Sequence, residues 1–389
     1  MKPRVLMVTG AYFPETSGGG LQARALVRAL RGDADFAVLT TSADPSLPAR
    51  TEEDGVAIRR IHVDVESVAS RVTAAARLVS AFVALASRID IVNLHGFSGK
   101  AVLLVALSRL FRKRFVLTLQ TGVQDEPLAV KETGRAAYWA YCHADLYLSV
   151  SPGLSRGYLA GGLPESRLRQ VRNAVETDRF RPPVGGEREA LRRELGLPLD
   201  LQLVLFVGYF SRDKRPDAMY RAWAADARDR QGSGLVMIGA TRAVHGEVDT
   251  TLAPAIREWA ARDRLADRIF LVEATSAIER YFRAADLFVL PSVREGLPIA
   301  LIEAMSSGLA CVASRLEGST DVLIDDHSSG LLVAPDDEIG FERALARLLT
   351  DKGLAARLGA SARAAALERY SIEKVAPSWL AAYRELAQS

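Results

Sequence analysis

The chain has 389 residues, 49% of them hydrophobic and 25% charged, with a formal net charge of +3. At roughly 150 residues per domain that length predicts two domains or three, and the composition excludes an intrinsically disordered chain. The two cysteines, Cys142 and Cys311, lie far apart in apolar stretches, which excludes a disulfide scaffold or a cysteine zinc site and fits a reducing cytosol.

At the start, Met1-Lys2-Pro3-Arg4 carries charge, but the apolar run Val5 to Val8 is too short for a signal core. No stretch is expected to reach the roughly 20 apolar residues of a membrane span, so a cytoplasmic location is expected. Strand-length apolar runs follow at Arg4–Thr9, Phe36–Thr41, Ile89–Leu94, Phe115–Leu119 and Leu146–Val150, separated by segments of helical period. A glycine-rich loop, Ser17-Gly18-Gly19-Gly20, is expected to precede a helix over Leu21–Arg31. Between Val65 and Arg88, apolar residues at helical spacing are broken by Arg71, Arg77 and Arg88; this reads as a core helix or as one lying on a membrane surface. Continuous apolar strands alternating with helices predict a parallel sheet covered on both faces.

The texture changes at 178–186, where paired prolines and glycines mark a linker. A helix over Glu187–Leu195 and strands at Leu203–Gly208, Leu235–Gly239, Ile269–Val272, Leu287–Pro291 and Ala310–Ala313 restart the same rhythm. The expected organisation is two Rossmann-like α/β domains, residues 1–182 and 183–371, with parallel sheets facing a central cleft. A terminal amphipathic helix, 372–389, is expected to return to the first domain. Such domains bind ligands where strand carboxyl ends meet helix starts. Charge is uneven, +7 over residues 1–182 and −4 over the remainder, with basic clusters at Arg109–Arg114 and Arg167–Arg172. This is a solvated face or an attraction to anionic lipid or an anionic acceptor. No aromatic interleaving points to nucleic acid.

Chemistry concentrates in Glu295-Gly296-Leu297-Pro298-Ile299-Ala300-Leu301-Ile302-Glu303, after a strand ending near Pro291. Pro298 is suited to open a helix, and the free N–H groups there make an anion site. Glu295 precedes that helix and Glu303 lies about one and a half turns along it, so the two address different parts of one extended ligand. A second phosphate element, Gly208-Tyr209-Phe210-Ser211-Arg212-Asp213-Lys214-Arg215-Pro216, places Lys214 where it could neutralise a leaving diphosphate, with Arg212 or Arg215 adding charge. In the first half, Gln120, Asp125, Glu126 and His95 follow strands on one expected edge. Gln120 can orient a hydroxyl but cannot take its proton. Asp33-Ala34-Asp35 reads as a solvated turn, and Gly96-Phe97-Ser98-Gly99-Lys100 is too short for a phosphate-binding Walker loop.

Glu-Gly-Leu-Pro with the later Glu-Ala-Met, after Ala284–Ser292, resembles the signature of the family 4 retaining glycosyltransferases of GT-B fold. Gly330–Pro335 and Arg172–Thr177 are similar to further segments of that family, although Ala174 and Glu176 replace its Gly and Asp. Pro14 and Gly18, Gly19 and Gly20 resemble its first loop, placing those glycines with the donor. The resemblance implies a sugar transferred from a UDP- or GDP-sugar to a hydroxyl acceptor, which is a sugar, a lipid-linked sugar or a small molecule. It implies that Glu295 meets the sugar, that Glu303 meets the ribose, and that the backbone of Gly296, Leu297, Pro298 and Ile299 meets the pyrophosphate, with Gly208, Arg212 and Lys214 beside it. Glu295 and Lys214 are the expected catalytic residues; His95, Gln120, Asp125 and Glu126 lie on the acceptor side. No metal or other cofactor is expected, and domain closure would keep water from the donor. Tyr209 and Gln120 depart from the family's usual Arg and His. Two alternatives follow: an epimerase, which would isomerise free nucleotide-sugar without an acceptor, or a non-catalytic nucleotide-sugar-binding protein, which would bind without turnover.

Overall fold

The computed structural model describes residues 2–241 and 248–388. Two compact units emerge, Met1–Ala174 with Ile372–Ser389, and Val175–Ser371. The division falls at Ala174 and Val175, ahead of the expected boundary at 182. The Val175 N–H donates to Tyr370 O at 2.9 Å and Val175 bridges Ser371, while Phe180 meets Phe282 edge-on. Residues 175–182 are therefore packed into the second unit and do not form a free linker.

In the first unit the strands are β1 (Arg4–Thr9), β2 (Asp35–Ser42), β3 (Arg50–Glu53), β4 (Val56–His62), β5 (Ile91–His95), β6 (Arg114–Leu119), β7 (Leu146–Ser149) and β8 (Leu168–Gln170). Its helices are α1 (Gly18–Leu30), α2 (Val68–Leu85), α3 (Lys100–Leu110), α4 (Pro127–Thr133), α5 (Arg135–Cys142) and α6 (Pro152–Ala160). Among the described residues the sheet order is β3-β4-β2-β1-β5-β6-β7-β8, parallel except for the β3–β4 hairpin. That hairpin was not anticipated, because its strands are rich in charge. Its signal is Asp54-Gly55, both at positive φ, as a two-residue hairpin turn requires. Strand order reverses between β1 and β5, so the loops after these two strands diverge to opposite faces of the sheet.

The second unit holds α7 (Glu187–Glu194), β9 (Gln202–Val207), α8 (Pro216–Ala227), β10 (Ser233–Ile238), α9 (Leu252–Arg262), β11 (Ile269–Val272), α10 (Ile278–Ala284) and β12 (Leu287–Leu290). It continues with α11 (Ile299–Ser306), β13 (Ala310–Ser314), β14 (Leu331–Val333), α12 (Glu338–Thr350) and α13 (Lys352–Arg369). Its strand order, β11-β10-β9-β12-β13-β14, is that of a dinucleotide-binding sheet, with the reversal between β9 and β12. Central strands are buried along both faces, which is why they read as unbroken apolar runs.

Two expectations for the first unit change. The glycines 18–20 are the first turn of α1 and not a loop, because Ser17 caps that turn by accepting the Gly20 N–H at 3.1 Å. Helix α2 with the turn after it, Val68–Arg88, is long and apolar enough to cross a membrane by length and composition, against the expectation that no stretch is. Only its Ala74, Leu78, Phe82 and Leu85 are buried.

The last helix, α14 (Ile372–Gln388), belongs to the first unit. Ile372, Val375, Ala376, Trp379, Leu380, Tyr383 and Leu386 recur at helical spacing and form its buried stripe. Trp379 is fully buried, donates from Nε1 to Arg172 O at 2.9 Å, and stacks on the His95 ring at 5.8 Å between centroids. Truncating it empties a large volume beside β5. Trp379→Ala is expected to cost about 3–5 kcal/mol, read as a lower melting temperature with loss of near-ultraviolet dichroism; an unchanged melt would mean that α14 is not held by this side chain.

Candidate functional site

In the second unit, the loops after β9 and β12 leave the sheet on either side of the strand-order reversal and are then bonded to each other. The Val293 N–H donates to Asp213 O at 2.8 Å, Arg294 pairs with Asp213, and Lys214 Nζ donates to Glu295 Oε1 at 2.7 Å. The local sequence explains the path. Arg215 adopts a left-handed φ of 51° and Pro216 opens α8, so the chain turns sharply after Lys214. At the neighbouring strand, Gly239 is required because a Cβ there would collide with the Gly208 carbonyl oxygen.

Glu295 is well enclosed, its side chain 7% exposed, whereas Lys214 retains 25%. The ammonium has three donors and spends one on the carboxylate, so two remain for an incoming acceptor. Helix α11 begins at Ile299, one residue later than a start at Pro298. Pro298 is extended and occupies the cap position, and no side chain caps the first turn. The first-turn N–H groups of α11 thus lack a capping side chain a few residues after Glu295, and Gly296, Leu297 and Pro298 are buried.

Farther along α11, Glu303 is buried. Burial pushes its carboxyl up to about 8; Arg179 opposes the rise and Glu279 and Glu176 add to it. Arg179 is engaged elsewhere, donating to Glu279 at 2.8 Å and to Ser276 O at 2.9 Å. Arg212 does not join the group: it is 77% exposed and paired with Asp249 at 2.7 Å. Arg215, the other expected source of charge, is bound to Glu338 and the Pro335 carbonyl.

In the first unit, His95 Nδ1 lies 3.4 Å from Gln120 Nε2 and its Nε2 lies 3.4 Å from Asn93 Nδ2. Asn93 in turn donates to Tyr383 Oη at 2.8 Å and accepts from Thr118 at 2.8 Å. A Cβ at Gly19 would crowd the Cβ of His95. Burial lowers His95 to about 3, so the ring is neutral at physiological pH. Asp125 and Glu126 are not free carboxylates beside it. Asp125 is buried and accepts from the N–H groups of Phe97 (2.6 Å), Gln120 (2.6 Å) and Thr121 (2.8 Å), which fixes the loop that carries Gln120. Glu126 accepts from Val123 N–H at 3.1 Å and fills the space beside Gly157.

Residues 187–365 match the family model of the glycosyl transferases group 1, and residues 17–174 match that of a glycosyl transferase 4-like domain. The second unit thus carries a glycosyl transferases group 1 domain and the first a glycosyl transferase 4-like domain. The chain is 28% identical to the alpha-maltose-1-phosphate synthase of Mycolicibacterium smegmatis, over 99% of this chain and 100% of that one. It is 32% identical to the D-inositol 3-phosphate glycosyltransferase of Xylanimonas cellulosilytica over 58% of this chain and 52% of that protein. The chain thus spans about half the length of the inositol-phosphate relatives it matches. HepE of Anabaena, solved in complex with UDP and glucose, superposes with a TM-score of 0.80 over 98% of this chain and 100% of its own at 16% identity. The architecture is the GT-B fold of two Rossmann-like domains with parallel sheets.

Further side chains hold these candidate residues in place. Asp213 and Arg294 stitch the loops after β9 and β12; Asp213 sits inside the Gly208–Pro216 segment and Arg294 directly before Glu295, where their charge was the available signal. Asn93, Trp379 and Tyr383 support His95, but Tyr383 is 290 residues from Asn93 and no spacing rule links them.

The raised Glu303 carboxyl has a thermodynamic consequence. It stays protonated in the folded chain up to about 8, whereas the unfolded side chain ionises near 4.5. Stability therefore falls as pH rises from about 4.5 to about 8 and is level above that. Glu303→Gln is expected to remove this slope, raising the melting temperature over wild type more at pH 8 than at pH 5. An equal difference at both values would show an ordinary carboxylate.

Proposed function

We propose that this glycosyltransferase moves a sugar from a UDP- or GDP-sugar to a hydroxyl acceptor with retention of configuration, in glycan, glycolipid or polysaccharide synthesis. The observation that carries this reading is the Lys214–Glu295 contact at the uncapped start of α11. One cation and one helix start face the place where a diphosphate would leave, and a carboxylate stands beside them for sugar hydroxyls. Glu303 lies farther along the same helix, where two vicinal ribose hydroxyls would donate to it and favour its ionised form. The complex of HepE with UDP and glucose supports a uridine donor.

In this reading the bond from the anomeric carbon to the phosphate oxygen breaks while the acceptor oxygen bonds to that carbon from the same face. The acceptor proton passes to the departing phosphate oxygen. Charge accumulates on the diphosphate, and Lys214 with the α11 N–H groups stabilises it where it develops. Gln120 cannot accept a proton, and His95 is committed to its buried network. The acceptor side thus orients the hydroxyl and leaves its deprotonation to the leaving group, and no step is assigned to a metal. Lys214→Ala is expected to lower kcat by about 100- to 1,000-fold, measured as nucleoside diphosphate released with a sugar acceptor. Turnover unchanged by that substitution would remove the charge-stabilisation step, and wild type unprotected thermally by UDP or GDP would remove the donor assignment.

A peripheral contact with anionic membrane is part of this proposal. Val68, Val72 and Val83 of α2 are exposed, and residues 67–88 contain Arg71, Arg77 and Arg88 but no acid. Apolar side chains flanked by arginines suit a headgroup interface. Vesicles containing phosphatidylglycerol are expected to co-sediment with the protein at low salt, and Val72→Glu is expected to weaken this severalfold. Retention on neutral vesicles alone would contradict the charge complementarity.

A further inference from the structure

Lys100 opens α3 directly after the Gly96–Gly99 loop, at the point where the first sheet reverses its strand order between β1 and β5. That is the place in an open parallel sheet where the loops separate and ligands bind. Its ammonium donates to Thr9 O at 2.8 Å, at the carboxyl end of β1, and lies 3.3 Å from Thr41 Oγ1, at the end of β2. Thr41 in turn donates to Gly10 O at 2.6 Å. Gly10 is exposed, and open space lies where its Cβ would be. The ammonium is therefore held by neutral oxygens at the ends of β1 and β2, beside the exposed Gly10.

No carboxylate among the described residues pairs with this lysine. Glu15, on the loop after β1, gives one oxygen to the Ala43 N–H at 3.0 Å and does not reach it. Other features of the turn also favour negative charge. The α3 start has Gly99 at its cap, no capping side chain and no acid in its first turn, so its N–H groups add positive potential to that of the lysine. The Ser98 hydroxyl is buried without a protein partner. A lysine at a helix start is electrostatically unfavourable in an empty protein, and burial lowers Lys100 to about 8. An anion would reverse both effects.

We propose that Lys100 and the start of α3 bind an anionic group of the sugar acceptor, a phosphate or a carboxylate, at the carboxyl edge of the first sheet. This rests on the sugar-transfer reading for the identity of the ligand. A phosphate could also belong to the donor's diphosphate, and the experiment separates the two sources.

Inorganic phosphate is titrated calorimetrically into the full chain with the donor site saturated by UDP. Wild type is expected to bind phosphate under these conditions. Lys100→Gln is expected to bind it ~10- to 100-fold more weakly, the loss of one charged hydrogen-bond donor, while UDP affinity stays within about twofold. Phosphate binding equal in wild type and Lys100→Gln overturns the proposal. So does a fall in UDP affinity that matches the fall for phosphate, which would assign Lys100 to the donor. A measurement on wild type needs no substitution: acetylation of Lys100 by acetic anhydride, followed by peptide mass spectrometry, is expected to slow in phosphate but not in chloride of equal ionic strength. Equal rates overturn it. Absence of UDP binding to wild type would instead strike the donor reading, with the acetylation comparison still deciding this one.

Discussion

Lys214 and Glu295 are 81 residues apart in the chain and 2.7 Å apart in the folded protein. They meet because β9 and β12 are adjacent parallel strands whose following helices leave to opposite faces of the sheet. A parallel sheet with that strand order must open a gap between the two loops at its carboxyl edge. The gap is bridged by Val293 N–H to Asp213 O and by the Arg294–Asp213 pair, so the cation and the carboxylate are held by backbone geometry as well as by attraction for each other. A partly buried pair of this kind gains from mutual proximity but loses hydration. Its value here is positional: it orders two side chains before any ligand arrives.

Desolvation sets the character of the remaining polar groups. Glu303 and His95 are both buried, and burial moves each toward its neutral form, the acid upward and the base downward. Asp125 is buried too, but three backbone N–H groups converge on its carboxylate. The same residue type can thus organise a loop or wait for a ligand according to whether the backbone already supplies its hydrogen bonds. That distinction is invisible in the residue type alone. It explains why Asp125 and Glu126 act as loop residues in the first unit.

Much of the architecture was legible because buried parallel strands are unbroken apolar runs. The runs at Arg4–Thr9 and Leu287–Leu290 could scarcely read as anything else. The β3–β4 hairpin was missed because an edge pair needs few apolar residues and identifies itself only by Asp54-Gly55. Gly18 to Gly20 looked like a loop because glycine is a poor helix former; the Ser17 cap overrode that preference. Arg212 looked like a phosphate ligand from its place in a basic loop, but Asp249, 37 residues on, engages it.

The sequence by itself determined the two α/β units, the position of Glu295 before a helix start and of Glu303 along it, and the place of Lys214 in the loop after β9. These follow from local periodicity and from the reach of a few residues, which short-range physics settles. Tertiary structure alone decided that Lys214 meets Glu295, that Trp379 stacks on His95, that Asp125 is consumed by its own loop, and that Lys100 has no acidic partner among the described residues. Each of these depends on which strands become neighbours and on how much water is excluded between them. Those are properties of the packed sheet that no stretch of chain carries alone.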